Sequence, residues 1–302
     1  MTLTRAQRAT LTLAALVVAI VFALPIVWMV GTSVKPLEQV ASTKVSFLPD
    51  HPARTPRYLV ENYVTGREAF VDEQGIEHPA YDGVLTSENV NFTLFFRNTL
   101  IVALLAVSGM VVSSAVVAYG FSKVEWCGRG FFFAVMLATM MIPFPAVMVP
   151  TYFIFKALGW IGTLTPLWAP AWFAGAFNVF LLRQFFMQIP AELSDAARID
   201  GLGHWGIFWR IILPLSRPAL AVVALLHFIF VWNDFLAPLV YLHHQDDFTL
   251  AIGLQFYLHQ HGGAPWNQLM AACTLAIAPL LILFVLTQQS LMRGITQGAV
   301  KG

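Results

Sequence analysis

The chain has 302 residues, of which 58% are hydrophobic and 11% charged, and its formal net charge is +1. A soluble chain carries about a quarter charged residues, so this one must meet lipid. The near-zero charge excludes bulk electrostatic attraction to nucleic acid.

Apolar runs of about 20 residues are long enough to cross a bilayer as a helix, and six can be drawn. The first, residues 11–31, follows Arg5 and Arg8. Its apolar core exceeds that of a signal peptide, and Lys35-Pro36 beyond it offers no small-residue cleavage site, so it reads as a retained span. The long segment 33–93 follows, in which acids such as Asp50, Glu61, Glu68, Asp72, Glu73, Glu77, Asp82 and Glu88 outnumber the basic residues. The second span is 95–121. The third is 130–150, ending in Pro143, Pro145 and Pro150. The fourth is 165–182, with Pro166 and Pro170 breaking the periodicity at its start. It contains Trp168, Trp172 and Asn178, candidates for lining a solute path; the tryptophans also suit the aromatic belt at a membrane interface.

A polar-studded segment then separates the fourth and fifth spans. Pro190 fits the first turn of a helix, where its missing N–H costs nothing. Glu192 and Asp195 follow, where carboxylates favour the positive helix end. Ala196 and Ala197 are small helix formers that allow another surface to approach. Gly201, after Asp200, fits a left-handed stop that turns the chain. A second helix is expected, with Trp205, Phe208, Trp209 and Ile212 at i, i+3, i+4 and i+7, before Pro214 and Pro218. This knob could be an interfacial helix lying on lipid, but lipid anchoring accounts for the aromatics and not for the Asp-Ala-Ala and glycine spacing.

The run Asp195-Ala196-Ala197, three residues, Gly201, nine residues, Ile211, one residue, Leu213-Pro214 resembles the EAA loop of ABC importer permeases. Asp195 stands where that family usually has Glu. The resemblance implies a cytoplasmic helix pair, residues 190–214, that docks into a groove on an ATPase subunit. It implies a coupling role for Asp195, Ala196, Ala197, Asp200, Gly201, Ile211, Leu213 and Pro214.

The fifth span is 219–242 and holds Asn233 and Asp234. Asp234 would lie about 22 Å from the inner end of a continuous helix, where a carboxylate is costly unless paired, protonated or hydrated. Asn233 would point about 100° away from it. One reading has one of the two line the solute path and bond solute hydroxyls. The other reading has Asp234 bond Asn98, Arg97 or a loop backbone. His243-His244-Gln245-Asp246-Asp247 looks like a metal cluster only superficially, since adjacent histidines rarely reach one ion; a solvated loop is expected. The sixth span is 269–287. Cys127 and Cys273 should lie at different depths, which disfavours a disulfide, and neither has metal-site spacing.

Placement of Lys and Arg sets the orientation. With the N-terminus inside, cytoplasmic segments hold Arg5, Arg8, Lys123, Arg129, Arg183, Arg198, Arg210, Arg217, Arg293 and Lys301, while the short outer connections hold little beyond Lys156. Both termini and the 190–214 loop then face the cytoplasm; the resemblance implies a multi-pass protein of a bacterial or archaeal inner membrane.

Further stretches are similar to the carbohydrate-uptake branch of these permeases, in particular the smaller, maltose-type partner. They are Pro25, Trp28, Ser33 and Lys35-Pro36, then Phe96 to Thr99, then Trp232 to Leu239, and the tail from Gln288-Gln289-Ser290 to Gly302. The resemblance implies a homologous second permease chain, two nucleotide-binding ATPase subunits and an extracytoplasmic solute-binding protein. By the same analogy, 246–267, with Gly262, Gly263 and Pro265, reaches into the opened binding protein. The chain has no G-x-x-x-x-G-K-[ST] loop, so ATP and Mg belong to the partner subunits and this chain has no cofactor and no catalytic residues.

The expected fold is an all-α membrane protein of six transmembrane helices with a cytoplasmic coupling loop. Residues 1–94 form a first helix and long outer segment, and 95–302 the five-helix permease core. The expected function is import of a sugar or oligosaccharide. A polyol or glycerol phosphodiester permease is the alternative, but a phosphate wants Arg or Lys in the pore. An ion-coupled carrier would need several buried ionisable groups across the spans, and only Asp234 is clearly present.

Overall fold

A computed structural model describes residues 4–42, 46–71, 75, 77–78, 80–87, 90–258 and 265–299. Helix dominates, and the only paired strands among the described residues are the antiparallel Phe70–Val71 and Glu77–His78. Four helices are long and apolar enough to cross a membrane, and up to six spans result if each sharply bent helix pair counts as one. The Gly262-Gly263 part of the expected outer finger and the tail 300–302 lie outside the described residues.

The first span is the helix Arg5–Ser33. Its start is closed by a reciprocal cap in which Gln7 N–H donates to Thr4 Oγ1 at 3.3 Å and Thr4 N–H to Gln7 Oε1 at 3.0 Å. Its most apolar window buries none of its residues against the chain, which leaves that surface for lipid or another subunit. The second is Phe92–Lys123 and the last Trp266–Ala299.

The other three expected spans are interrupted. The third is no continuous helix: Arg129–Thr139 and Phe144–Ala157 meet at a bend of 98°. Pro143 stands extended at φ −71°, ψ 143° before the second piece, where its ring and missing N–H cannot continue the first. The fourth comprises the short helix Thr165–Trp168, a tight turn Ala169–Phe173, a break, and the helix Ala176–Gln188. The fifth is Arg217–Trp232, a break, then Leu236–Tyr241.

The chain divides into two compact units, Met1–Thr93 with Gly253–Ala278, and Leu94–Ile252 with Pro279–Gly302. In the first unit, buried polar groups organise the long segment between the first and second spans. Asn62 donates to the carbonyls of Ser33 at 2.8 Å and Lys35 at 2.9 Å, and its Oδ1 accepts from Tyr81 at 3.0 Å and Asn267 at 2.8 Å. Burial pushes the Tyr81 hydroxyl up to about 12, so it stays a neutral donor at physiological pH. Gln268 donates to the Asp82 carbonyl, and Arg67 bonds both carboxylate oxygens of Glu38 at 2.8 and 3.0 Å. Lys35 reaches the Ser46 carbonyl while its ammonium lies 4.7 Å from the centre of the Trp28 ring.

In the second unit, one apolar core joins Ala115, Ala118 and Tyr119 to Val179, Leu182 and Phe186, and to Val223. Asn98 donates to the Asp246 and Phe248 carbonyls at 2.7 and 3.1 Å, and Thr99 Oγ1 accepts from Leu250 N–H at 2.7 Å. These bonds start the helix Leu250–Phe256, in which Leu250 and Ile252 are buried. The first half of the expected outer finger is therefore packed helix.

Candidate functional site

The segment between the fourth and fifth spans folds as a helix, a glycine turn and a second helix. The first helix is Ala191–Ile199, with Pro190 just before it at φ −54°. Gly201 is left-handed at φ +84°. Its N–H bonds to the Arg198 carbonyl at 3.0 Å, and Leu202 N–H reaches back to the Ala197 carbonyl at 2.9 Å. This pair of bonds satisfies the carbonyls that the helix end would otherwise orphan, and it requires a residue at ease with positive φ.

The second helix runs through His204–Ile207, one wide π turn Phe208–Ile212, and Leu213–Leu215. The expected stripe of Trp205, Phe208, Trp209 and Ile212 is not a single buried face. Ile207, Phe208 and Ile212 are buried, whereas Trp205 and Trp209 are 65% and 59% exposed. In the wide turn, Leu213 N–H bonds to the Phe208 carbonyl five residues back; Trp205 precedes that turn, and the two tryptophans share the face turned away from the core. At the loop's start the Tyr119 hydroxyl and His204 Nδ1 lie 3.1 Å apart, and Lys123 Nζ donates to the Ile189 carbonyl at 2.7 Å.

The motif residues divide by burial. Ala197 joins the apolar core with Ile207, Phe208 and Ile212. Ile211 and Leu213 pack against that core and are half-buried. Asp195, Ala196, Asp200, Gly201 and Pro214 are exposed. Asp195 pairs with Arg198 at 2.8 Å, with both side chains about half or more exposed; such a pair contributes about 0–1 kcal/mol, so the fold does not depend on it. Ile199 is an apolar residue that the chain leaves 87% exposed beside them.

The candidate path residues fall at two helix breaks. Asn233 and Asp234 are not in helix: Arg217–Trp232 ends before them, so the expected angle of about 100° between their side chains does not apply. Asn233 is exposed and donates to the Ile229 carbonyl at 2.8 Å. Asp234 Oδ1 accepts from Ala237 N–H at 3.3 Å and so caps the following helix Leu236–Tyr241. Asn98, one of the partners considered for Asp234, donates its amide to the Asp246 and Phe248 carbonyls. Trp172 and Asn178 flank the break in the fourth span, and no hydrogen bond joins this pair to Asn233 or Asp234 among the described residues. Trp172 Nε1 donates to the Leu105 carbonyl at 3.1 Å. His243 and His244 are exposed beside the turn Gln245–Asp247. Sequence reasoning passed over His227, whose Nε2 is buried without a partner among the described residues and whose ring stacks on Phe230 at 6.0 Å. Its signal was a lone imidazole in an apolar run.

The model of the family described as binding-protein-dependent transport system inner membrane component matches residues 109–297. Among curated proteins, the chain is 38% identical to the arabinooligosaccharides transport system permease protein AraQ of Halalkalibacterium halodurans, over 69% of this chain and 74% of that one. It is 30% identical to the trehalose/maltose transport system permease protein MalG of Thermococcus litoralis, over 98% of both. Among solved structures, a chain of a bacterial ABC transporter involved in the import of the acidic polysaccharide alginate superposes with a TM-score of 0.73 at 22% identity. That superposition covers 96% of this chain and 99% of the other, and it shows a shared fold.

Proposed function

Because the chain belongs to the family of binding-protein-dependent transport system inner membrane components, we propose that it is the permease subunit of an ABC importer for a saccharide, driven by ATP hydrolysis on partner chains. The observation that supports this best is the loop 190–214. Its inner face is locked into the apolar core by Ala197, Ile207, Phe208 and Ile212, while Asp195, Ala196, Ile199, Asp200 and Gly201 form an exposed ridge. A rigidly seated ridge transmits a push to the helices Ala176–Gln188 and Arg217–Trp232, between which it is spliced. On this reading the ridge is the EAA coupling loop. It meets one of two nucleotide-binding subunits in the cytoplasm, and these hold ATP and Mg. Residues 95–302 form the transport core, six crossings place both termini inside, and a second permease and an extracytoplasmic binding protein complete the assembly.

Co-expression with a cognate ATPase, second permease and binding protein tests this. The complex should co-purify, and in proteoliposomes the binding protein loaded with maltose, trehalose or arabinotriose should stimulate ATP hydrolysis. Stimulation by glycerophosphocholine alone would replace the saccharide with a phosphodiester, and failure to retain any ATPase subunit would remove the permease assignment.

Asn233 and Asp234 are the proposed solute-path residues of the fifth span. Asp234→Asn keeps an acceptor for Ala237 N–H, and Asp234→Leu removes it, a loss of about 1 kcal/mol for a helix cap. The Asn variant should retain partial uptake. The Leu variant should lose uptake while still assembling and hydrolysing ATP. A Leu variant that fails to assemble makes the residue structural, and direct solute contact is then dropped.

A further inference from the structure

The break in the fourth span holds the one non-glycine residue with positive φ among the described residues. Ala174 stands at φ 63°, ψ 157°, a region that suits glycine almost alone and strains an L-residue. Its surroundings hold it there. Ser113 Oγ accepts from Ala174 N–H at 3.0 Å and shares its own proton between the Gly109 and Ala171 carbonyls, at 2.7 and 3.1 Å. Trp172 lies on helix Phe92–Lys123 where Gly109 has no side chain, and a Cβ at Gly109 would collide with the indole.

The strain opens the N-terminus of the helix Ala176–Gln188. Val179 N–H is the first to close onto a carbonyl, that of Gly175 at 2.9 Å. The N–H groups of Ala176, Phe177 and Asn178 have no partner among the described residues, and no side chain caps them. Asn178 is only 8% exposed, yet its carboxamide makes no hydrogen bond among the described residues. Its Nδ2 lies toward this helix end, 3.3 Å from where a Cβ on Gly175 would stand. Beside it Phe173 is 82% exposed and Trp172 half-exposed.

Position excludes lipid as the occupant. Ala176 lies about 18 Å along the helix from Gln188 at 1.5 Å per residue, near the middle of a hydrocarbon layer about 30 Å thick. Unpaired N–H groups at that depth each cost several kcal/mol unless they line a cavity. Many secondary transporters place solute sites where interrupted helices end near the bilayer midplane, and the same physics of free helix ends applies to any transport path. The ligand chemistry follows from what is absent: the fourth span has no Lys or Arg before Arg183, which is spent on the Phe121 carbonyl at 3.1 Å and the Phe133 ring. Without a full positive charge, the donors suit hydroxyl oxygens better than phosphate.

Resting on the saccharide-permease reading, we propose that this break is a solute site. The free N–H groups of Ala176 to Asn178 and the Asn178 carboxamide bind hydroxyl oxygens of a neutral saccharide, and the Trp172 and Phe173 rings form its apolar rim.

The assembled complex with Cys127→Ser and Cys273→Ser tests the site with a water-soluble thiol reagent, methanethiosulfonate ethylsulfonate. Ala176→Cys should react in the resting or the vanadate-trapped state. Phe22→Cys, exposed on the first span Arg5–Ser33, should not. In maltose, trehalose or arabinotriose uptake, Asn178→Leu should lower transport about tenfold, as expected for one lost hydrogen bond of about 1.4 kcal/mol. Binding-protein-stimulated ATP hydrolysis should persist, and Asn178→Gln should recover part of the uptake. No reaction at position 176 in either state means that the partner permease covers the break, and it overturns the site. Loss of ATP hydrolysis along with uptake in Asn178→Leu makes Asn178 structural and overturns it too. If position 176 reacts but the unmodified complex moves none of the three saccharides, the saccharide reading fails and the ligand assignment fails with it.

Discussion

Gly201→Asp is expected to abolish uptake while leaving the subunit in the membrane at its normal level. Gly201 holds φ +84° in the turn between the two loop helices. A side chain there costs on the order of 1 kcal/mol in backbone strain. Among the described residues nothing beyond the chain neighbours lies within 4 Å of the position a Cβ would take, so no internal clash adds to that cost. Against a typical stability of about 5–15 kcal/mol, the strain alone does not unfold a protein. Loss of transport would therefore come from the surface that meets Gly201, where a carboxylate beside Asp200 adds both bulk and charge to a docking ridge. Gly201→Ala should fall between the two, with strain but little bulk. The readouts are saccharide uptake and retention of the ATPase subunits on a tagged permease, both at matched expression. Near-normal transport by Gly201→Asp would remove the docking assignment.

Gly201 was legible in the sequence because its role is local: a glycine after a short run of helix formers dictates a left-handed stop whatever surrounds it. The first, second and last spans were legible for a similar reason, since length and hydropathy decide them. What failed depends on groups distant in sequence. The prolines 143, 145 and 150 mark the end of the expected span 130–150, but a chain that bends by 98° before Phe144 and continues as helix to Ala157 is a property of packing. The tryptophans at 205 and 209 fit a 3.6-residue stripe and do share one face, but which face meets the core is set by packing, and Ile207, Phe208 and Ile212 take it. Asp234 was placed in a continuous helix because no proline or glycine marks Asn233-Asp234; the break there lets Asp234 cap the next helix. Asn178 was visible as a polar residue in a span. That its carboxamide is buried without a partner at a strained helix end depends on Ala174 and Ser113, 61 residues apart in sequence.

The long segment between the first two spans was the least legible part, and it gives the largest expected effect on stability. Asn62 reads as one polar residue among many, yet it is fully buried and uses both ends of its carboxamide. Its Nδ2 serves the Ser33 and Lys35 carbonyls at the end of the first span, and its Oδ1 serves Tyr81 and Asn267. Asn62→Leu leaves two carbonyls and two donors buried without their partner. Each orphaned group costs about 1–3 kcal/mol, and even with partial relaxation the loss belongs among the large single-residue effects. The first unit should then open: trypsin should cut after Arg54, Arg57 or Arg67 far faster than in the unmodified protein, and the detergent-solubilised subunit should melt at lower temperature. Asn62→Asp separates polarity from hydrogen bonding. It keeps the acceptor for Tyr81 and Asn267 but faces two carbonyls with an oxygen, so it is tolerated only as the protonated acid. Burial raises its pKa in the folded state above the usual carboxylate value near 3.9. A raised folded pKa means that the folded state binds the proton more tightly, so the Asp variant should lose stability as pH rises above about 4, whereas the Leu variant should show no such dependence. Trypsin resistance of Asn62→Leu equal to that of the unmodified protein would show that this segment is held by its apolar contacts and not by this hub.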